Sequence, residues 1–195
     1  MELQEALLIA NKVKDSLSPY CEIINVAGSC RRLKPEVKDF DILCLPKMKV
    51  INDVFGEPLK KIRTAEFVST VELLGDRIKG SPKDGKNIQT RLKEGIILDL
   101  YIPVSVDYYR QLAIRTGSGD YSKKILATGW RKKGWCGSDL GLRRTRDCIE
   151  TKTKRGTSTW KCVNPNAEHP PVWKSEGEFF DWINVKWVEP PLRTI

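Results

Sequence analysis

The spacing of apolar residues predicts that helices and strands alternate over the first half of the chain. Apolar side chains recur every three or four residues over 2–17, which predicts an amphipathic helix that Ser18-Pro19 ends. A further helix is predicted over at least part of 57–75. Apolar and β-branched runs predict strands at 22–27 and 40–45, and residues 87–92 and 96–102 are predicted to be paired strands of one sheet.

After Pro103 the pattern changes. It predicts helices over 105–113, from the Thr-Gly-Ser-Gly turn at 116–119 to about Gly134, and over 176–184. Residues 142–163 predict a basic hairpin with its turn at 154–158. The chain is therefore predicted to be α+β, with an α/β lobe over 1–108 and a small α+β lobe over 109–195.

Several classes of protein are excluded or disfavoured by composition. The 195 residues contain no run of 18 apolar residues, which excludes a membrane span. Two Glu in the first five residues disfavour a secretory signal, so we expect a cytoplasmic-type compartment and no membrane partner. The six cysteines contain no Cys-x-x-Cys pair and are expected to be reduced thiols. A zinc site from Cys136, Cys148, Cys162 and His169 is an alternative, although its spacing matches no standard zinc pattern.

The excess positive charge lies in one contiguous stretch. Residues 115–161 contain 13 Lys and Arg but 4 Asp and Glu, which accounts for the whole net charge of +9. Such a stretch predicts contact with a polyanion, with a solvated basic face as the alternative. All six Trp also lie at or after residue 130. They could stack on bases, but packing of a small carboxy-terminal lobe is the favoured interpretation.

Three carboxylates predict a metal site. Asp39 and Asp41 flank Phe40 on a predicted strand, where side chains two residues apart share a face. Two adjacent carboxylates repel each other, and a divalent cation removes that cost. Asp99 stands alone in the otherwise uncharged run IILDLYI, so a neighbouring strand would bring it to the same cation. Oxygen-only ligands favour Mg²⁺ or Mn²⁺.

A candidate phosphate loop precedes these carboxylates. Gly28-Ser29 follows a predicted strand, where a glycine turn lets backbone N–H groups converge on an anion. Ser29 adds a hydroxyl donor, and the Arg32 guanidinium can bind phosphate oxygens through two hydrogen bonds. Each feature alone is common. The ordered combination of strand, Gly-Ser turn, basic pair, Asp-x-Asp and later lone Asp is far more specific.

This combination resembles the nucleotidyltransferase superfamily of DNA polymerase beta, and within it family X. ELQEALLIANKVK followed by AGSCRR resembles the helix and strand that open the family's palm, and ILDLYIP resembles its third carboxylate strand. RTGSGDYSKKILATGWRKKGW, SDLGL and SEGEFFDWINVKWVEPPLR resemble its thumb. The resemblance covers nearly the whole chain except 46–95 and 143–172. It implies a palm with a mixed sheet and helices on one face over 1–108, and a small basic thumb over 109–195.

The resemblance also implies roles for individual residues. Asp39, Asp41 and Asp99 would bind two Mg²⁺ ions, with Mn²⁺ as a substitute, and Asp99 would accept the proton of a primer 3′-hydroxyl. Ser29 and Arg32, with the Gly28 turn, would hold the β- and γ-phosphates. The implied nucleotide site is completed by residues after the palm: Ile114, Arg115, Gly117, Ser118 and Ser122.

Several positions depart from the family pattern. Ile114-Arg115 replaces an aromatic pair that crowds the sugar, so we expect ribonucleotides to be used more readily, with Arg115 as an alternative triphosphate contact. Ser122 stands where the family has an Asn that touches the base edge, and Gly119 replaces a bulkier residue. We therefore expect looser contacts to the base.

The lyase domain and the fingers of the family have no counterpart in this sequence, so the palm and thumb must grip DNA. Sequence-independent phosphate contacts are expected from seven basic residues: Lys123, Lys124, Arg131, Lys132, Lys133, Arg143 and Arg144. This layout resembles the compact polymerases of some viruses and phages, which implies the cytoplasm of a host cell or a virion.

The leading hypothesis is a monomeric, template-directed DNA polymerase that fills short gaps. Its partners would be gapped or primer-template DNA and dNTPs, with NTPs as further substrates. The second hypothesis is a related enzyme that adds nucleotides without a template or acts on RNA. The third is a nucleic-acid-binding protein without catalysis.

Overall fold

The chain forms two compact units, Met1–Ser105 and Val106–Ile195. A computed structural model describes residues 1–153 and 158–195. The boundary at 105/106 lies close to the predicted one at 108/109. Both units combine helices with strands, as the α+β class requires. None of the helices within the described ranges is long and apolar enough to cross a membrane.

The first unit contains three α-helices and seven strands. In chain order they are α1 (Leu3–Leu17), β1 (Cys21–Val26), α2 (Gly28–Arg31), β2 (Asp39–Pro46), β3 (Met48–Asn52), β4 (Pro58–Arg63), α3 (Ala65–Leu73), β5 (Gly75–Lys79), β6 (Asn87–Leu92) and β7 (Ile97–Tyr101). Five strands form one sheet in the order β1-β2-β7-β6-β5. Only the central pair, β2 and β7, is parallel, so the sheet is mixed.

One face of this sheet is buried and the other carries the acidic residues. Phe40 and Ile42 of β2 and Leu98 of β7 are completely buried, in one core with the apolar side of α1. Phe67 of α3 joins the same core. Because strand side chains alternate, the residues between these core positions project from the opposite face.

The predicted helix within 57–75 is confirmed by α3, which covers the second part of that range, whereas the first part forms a strand. Residues 58–63 form β4, which pairs with β3 in a separate two-stranded ribbon. Leu59 and Ile62 are three residues apart, as on a helix, but they are 67% and 38% exposed in the ribbon. Helix α3 begins only after Thr64, whose hydroxyl accepts a hydrogen bond from the Phe67 N–H at 3.4 Å.

The second unit contains a helical layer and a four-stranded sheet. Its elements are α4 (Tyr108–Thr116), α5 (Gly119–Tyr121), a π-helical turn (Ser122–Leu126), α6 (Ala127–Lys132), β8 (Trp135–Ser138), β9 (Gly141–Arg144), β10 (Cys148–Lys152), β11 (Ser158–Cys162) and α7 (Glu176–Trp182). The sheet order is β10-β11-β8-β9. The predicted hairpin over 142–163 is confirmed only for β10 and β11, because β9 pairs with β8. Its predicted turn lies at 154–158, of which 154–157 are outside the described residues.

An aromatic cluster forms the core of the second unit. Trp130, Trp135 and Trp173 are buried with Phe179 and Phe180 of α7. The Trp173 and Phe179 rings meet edge to face with centroids 5.1 Å apart. The favoured interpretation of these Trp residues, packing of the carboxy-terminal lobe, is therefore confirmed for the three that are buried.

Candidate active site

Asp41 and Asp99 lie directly opposite each other on neighbouring strands. The parallel pairing of β2 with β7 aligns Asp41 with Asp99 and Asp39 with Ile97. Opposed residues of a parallel pair project from the same face, and Asp39 shares that face because it is two residues from Asp41. Asp39 is exposed, and the other two are half-buried. The strand order thus brings the three predicted carboxylates to one face of the sheet.

The Gly-Ser turn packs against Asp41. Gly28 begins the single helical turn α2 with a φ of +62°, and a Cβ added to it would lie 1.9 Å from Oδ2 of Asp41. Only glycine fits both the backbone angle and this close approach. The Ser29 hydroxyl, predicted to hold phosphate, donates to the backbone carbonyl of Asp39 at 3.1 Å. Ser29 therefore ties the turn to the carboxylate strand.

Electrostatic effects show how close this turn lies to the carboxylates. Cys30 is completely buried, and its pKa is raised to about 11 by burial first and then by the negative charges of Asp41 and Asp39. Burial lowers the pKa of the half-buried Arg32 guanidinium, and the charge of Asp41 acts in the opposite direction. A guanidinium remains protonated in proteins, so Arg32 supplies a fixed positive charge beside Asp41.

Gln89 is a site residue that the sequence did not reveal. It lies opposite Asp99 in the antiparallel pair of β6 and β7. Its amide nitrogen donates to Oδ1 of Asp99 at 3.2 Å and to Oδ2 at 3.1 Å. The predicted pairing of 87–92 with 96–102 was a usable signal, because the residue across from Asp99 shares its face.

The carboxylates of Asp39, Asp41 and Asp99 have the right chemistry for a hard divalent cation, but their oxygens do not converge on one position. Within the ranges that the structure describes, no three acidic, histidine or cysteine side chains form a group that could hold a metal ion. Asp39, Asp41 and Asp99 nevertheless offer only oxygen donors, from adjacent positions on one face. Such donors suit Mg²⁺ or Mn²⁺, so these residues are the ones that would hold the predicted ions.

The Thr-Gly-Ser turn of the second unit is closely packed and hydrogen-bonded. Gly117 ends α4, and a Cβ there would lie 2.8 Å from the Tyr121 ring. The Ser118 hydroxyl accepts from the Tyr121 N–H at 3.0 Å, and the Ser118 N–H donates to the carbonyl of Arg193 at 2.9 Å. The buried Arg193 guanidinium bonds Glu176 at 2.6 Å. The carboxy-terminal tail thus fixes the position of the turn.

The other predicted nucleotide contacts of this unit lie nearby. Ile114 and Arg115 are half-buried in the last turns of α4. The Ser122 hydroxyl donates to the backbone carbonyl of Ile114 at 3.0 Å, at the start of the π-helical turn. Ser122, to which the resemblance assigns contact with the base, therefore uses its hydroxyl in a local hydrogen bond.

The side chains predicted to contact DNA differ in how far they are exposed to solvent. The exposed group comprises Lys123, Lys124, Arg131 and Lys132. Lys133 is half-buried, with its ammonium 5.7 Å from the centroid of the Trp182 ring.

Two of the three arginines predicted to contact DNA, Arg143 and Arg144, instead bind groups within the unit. Arg143 is 8% exposed and donates to the carbonyl of Leu142 at 2.7 Å. Arg144 forms two hydrogen bonds to Glu168, at 2.7 and 3.0 Å, and stacks over the Trp135 ring at 4.4 Å. These contacts use the two guanidinium groups within the unit.

Three of the residues weighed as a zinc site come together. Cys148 pairs with Cys162 across β10 and β11, and the neighbouring thiols of Cys136 and Cys162, after burial, help raise the pKa of Cys148. His169 is exposed. Among the described residues these groups do not form a metal site, and all six cysteines are free thiols. The structure thus gives no support to the zinc alternative.

A scan against protein-family models found no match, and a search of the curated proteins found no similar sequence. The family resemblance therefore rests on the sequence motifs quoted above.

Proposed function

We propose that this chain is a metal-dependent nucleotidyltransferase that adds nucleotides to a nucleic-acid 3′-hydroxyl, as a template-directed, gap-filling DNA polymerase of the family X type. The observation that carries the proposal is the pairing of Asp41 with Asp99, beside a glycine turn that touches Asp41. An arrangement of this kind costs stability through carboxylate repulsion, and a bound divalent cation compensates it.

The residues of the first unit have different roles in the proposed reaction. Arg32 supplies a fixed positive charge for the triphosphate, beside Asp41. Asp99 accepts the proton of the attacking 3′-hydroxyl, and the amide of Gln89 holds its carboxylate in one orientation. When bound, Mg²⁺ would acidify the hydroxyl and neutralise charge at the α-phosphate.

The second unit would hold the nucleic acid through its phosphates. Lys124, Lys132 and Lys133 line a groove of about 410 Å³ between the helical layer and the segment after α7. Lysines bind phosphates independently of the base sequence, which suits an enzyme that acts on many sites.

A template-independent transferase is the second candidate, and a specific observation favours it. The Ser122 hydroxyl is bound to the Ile114 carbonyl, so it is not directed at a base edge in this arrangement. Ile114-Arg115 also lacks the aromatic pair that restricts the sugar. Both features would lower the selectivity of the site for a particular base or sugar of the incoming nucleotide.

One experiment distinguishes these functions. The protein is incubated with Mg²⁺ on gapped, primer-template and unpaired oligonucleotides, with deoxy- and ribonucleotides compared in parallel. Extension dictated by the opposing base supports the proposed polymerase. Equal growth of unpaired strands selects the template-independent transferase, and binding without extension on any substrate selects a non-catalytic protein.

A further inference from the structure

The second unit contains a cluster of three thiols that the proposed function does not use. Cys148 is the cross-strand partner of Cys162, and, after burial, the thiols of Cys136 and Cys162 lie close enough to help raise its pKa. Cys148 and Cys162 are half-buried, whereas the other four cysteines of the chain are buried. The two thiols most accessible to a small oxidant are therefore adjacent to each other.

The sheet register places Cys148 and Cys162 in the geometry that a cross-strand disulfide needs. They are direct partners in the antiparallel pair of β10 and β11. The N–H of Cys162 donates to Oδ1 of Asp139 at 3.0 Å, away from β10, and the next residue, Val163, donates to the carbonyl of Asp147 at 3.0 Å. The cysteines therefore form a non-hydrogen-bonded pair, in which the Cα atoms are about 4.5 Å apart. Disulfides span Cα separations of about 4.4–6.8 Å.

Local hydrogen bonds keep this end of the strand pair in place. The Asn164 amide donates to Oδ1 of Asp147 at 2.7 Å, and the Cys162 thiol donates to the Asn164 carbonyl at 3.4 Å. The residues that flank both cysteines are thus joined across the two strands. Closing a disulfide there requires side-chain rotation and no new backbone arrangement.

We propose that Cys148 and Cys162 form a reversible disulfide across β10 and β11 when the protein meets a low-molecular-weight disulfide such as oxidised glutathione. The Cys162 thiolate attacks one glutathione sulfur, breaks its S–S bond and releases one glutathione thiolate. The Cys148 thiolate then attacks the Cys162 sulfur and releases the second. The protein loses two electrons and two protons, and oxidised glutathione becomes two reduced molecules.

The environment of Cys148 supports this order of attack. Burial, followed by the neighbouring thiols of Cys136 and Cys162, raises its pKa to about 12. Because thiolates are the attacking species, Cys148 is the poorer first nucleophile and the resolving partner.

The test uses the full chain, fully reduced and then freed of reductant. After treatment with oxidised glutathione, the intact mass is expected to fall by about 2 Da, the two thiol hydrogens. A non-reducing peptide map is expected to join Cys148 to Cys162, and dithiothreitol is expected to reverse the change. A stable mixed glutathione adduct on either residue, or a link that uses Cys136 instead, would overturn the proposal.

Variants and a metal measurement complete the test. Cys148→Ser or Cys162→Ser is expected to abolish the link, while Cys136→Ser and the control Cys21→Ser are expected to retain it. Stoichiometric zinc in the untreated protein that protects these thiols from oxidation would also overturn the proposal. The map of the unmodified sequence decides the question even where a variant fails to fold.

Discussion

The side-chain amide of Gln89 donates to both carboxylate oxygens of Asp99, at 3.2 Å to Oδ1 and 3.1 Å to Oδ2. The two residues are direct partners on β6 and β7. Hydrogen bonds to both oxygens of a carboxylate restrict its rotation. Gln89 is therefore a positioning residue for the proposed proton acceptor.

Replacing Gln89 should slow the chemical step. We expect Gln89→Leu to lower kcat by roughly tenfold or more, with little change in the KM for nucleotide, because groups that orient a metal-ligating carboxylate contribute about this much. Gln89→Glu adds a negative charge beside Asp99 and should move the acidic limb of the pH–rate profile to higher pH. Lys93→Ala, an exposed lysine just beyond the end of the same strand, is the control. Unchanged kcat and pH profile in both Gln89 variants would remove Gln89 from the site.

Adding one methyl group to Gly28 should separate stability from activity. Both Gly28 and Gly95 have positive φ angles, +62° and +83°, but a Cβ at Gly95 meets nothing within 4 Å. We expect each Ala variant to lose about 1–2 kcal/mol of unfolding free energy from the backbone penalty.

The activities of the two variants should differ. Only Gly28→Ala displaces the Asp41 carboxylate, so turnover should fall by about 100-fold or more in that variant and remain near normal in Gly95→Ala. Steady-state kinetics and urea unfolding measure the two effects. Equal activity of the two variants would show that the contact between Gly28 and Asp41 is not part of the site.

If the groove lined by Lys124, Lys132 and Lys133 binds DNA, the affinity for DNA should depend on salt through these lysines. Lys132 is exposed and lines the groove, so Lys132→Ala should reduce the slope of log affinity against log salt concentration by about 1. Lys93→Ala, an exposed lysine of the first unit, is the matched control. The buried Arg143 should instead affect stability when replaced. Fluorescence anisotropy with a labelled gapped duplex measures the slope, and identical slopes for both lysine variants would exclude this groove as the contact.

Cys30 should make stability fall at high pH. In the folded chain its pKa is raised from 9.0 to about 11, so the folded state keeps a proton that the unfolded state loses. The contribution of the Cys30 thiol proton to the free energy of unfolding is fully present below pH 9. It is lost as the pH rises towards 11. In EDTA and reductant, Cys30→Ala should diminish that loss by up to about 3 kcal/mol, since one pKa unit equals about 1.4 kcal/mol. Parallel stability curves for both proteins from pH 8 to 11 would contradict the assignment.

The sequence predicted the sheet around the carboxylates well because burial there follows a simple rule. Residues 40–45 and 96–102 are largely apolar, residues 87–92 alternate between buried and more exposed positions, and all three segments form strands. The single acid in IILDLYI was informative because a charge in such a run requires a partner.

The β3–β4 ribbon could not be predicted in the same way. Its side chains are mostly exposed on both faces, so no buried face imposes an alternating pattern. Gln89 was missed for a related reason: a polar side chain on a strand usually indicates only a solvent-facing position. The bonds of Ser29 and Ser122 to nearby carbonyls depend on local backbone geometry that spacing alone does not specify.

The central claim is that Asp41 and Asp99 together support nucleotide transfer. Single-nucleotide incorporation into a gapped duplex, with Mg²⁺ and the complementary dNTP, tests it most directly. The unaltered chain and the control Asp76→Asn, an exposed acid on β5, should both extend the primer. Asp41→Asn and Asp99→Asn should each lose at least about a thousandfold in rate while still binding the duplex. Near-normal rates in either of these two variants, or no incorporation by the unaltered chain, would contradict the account.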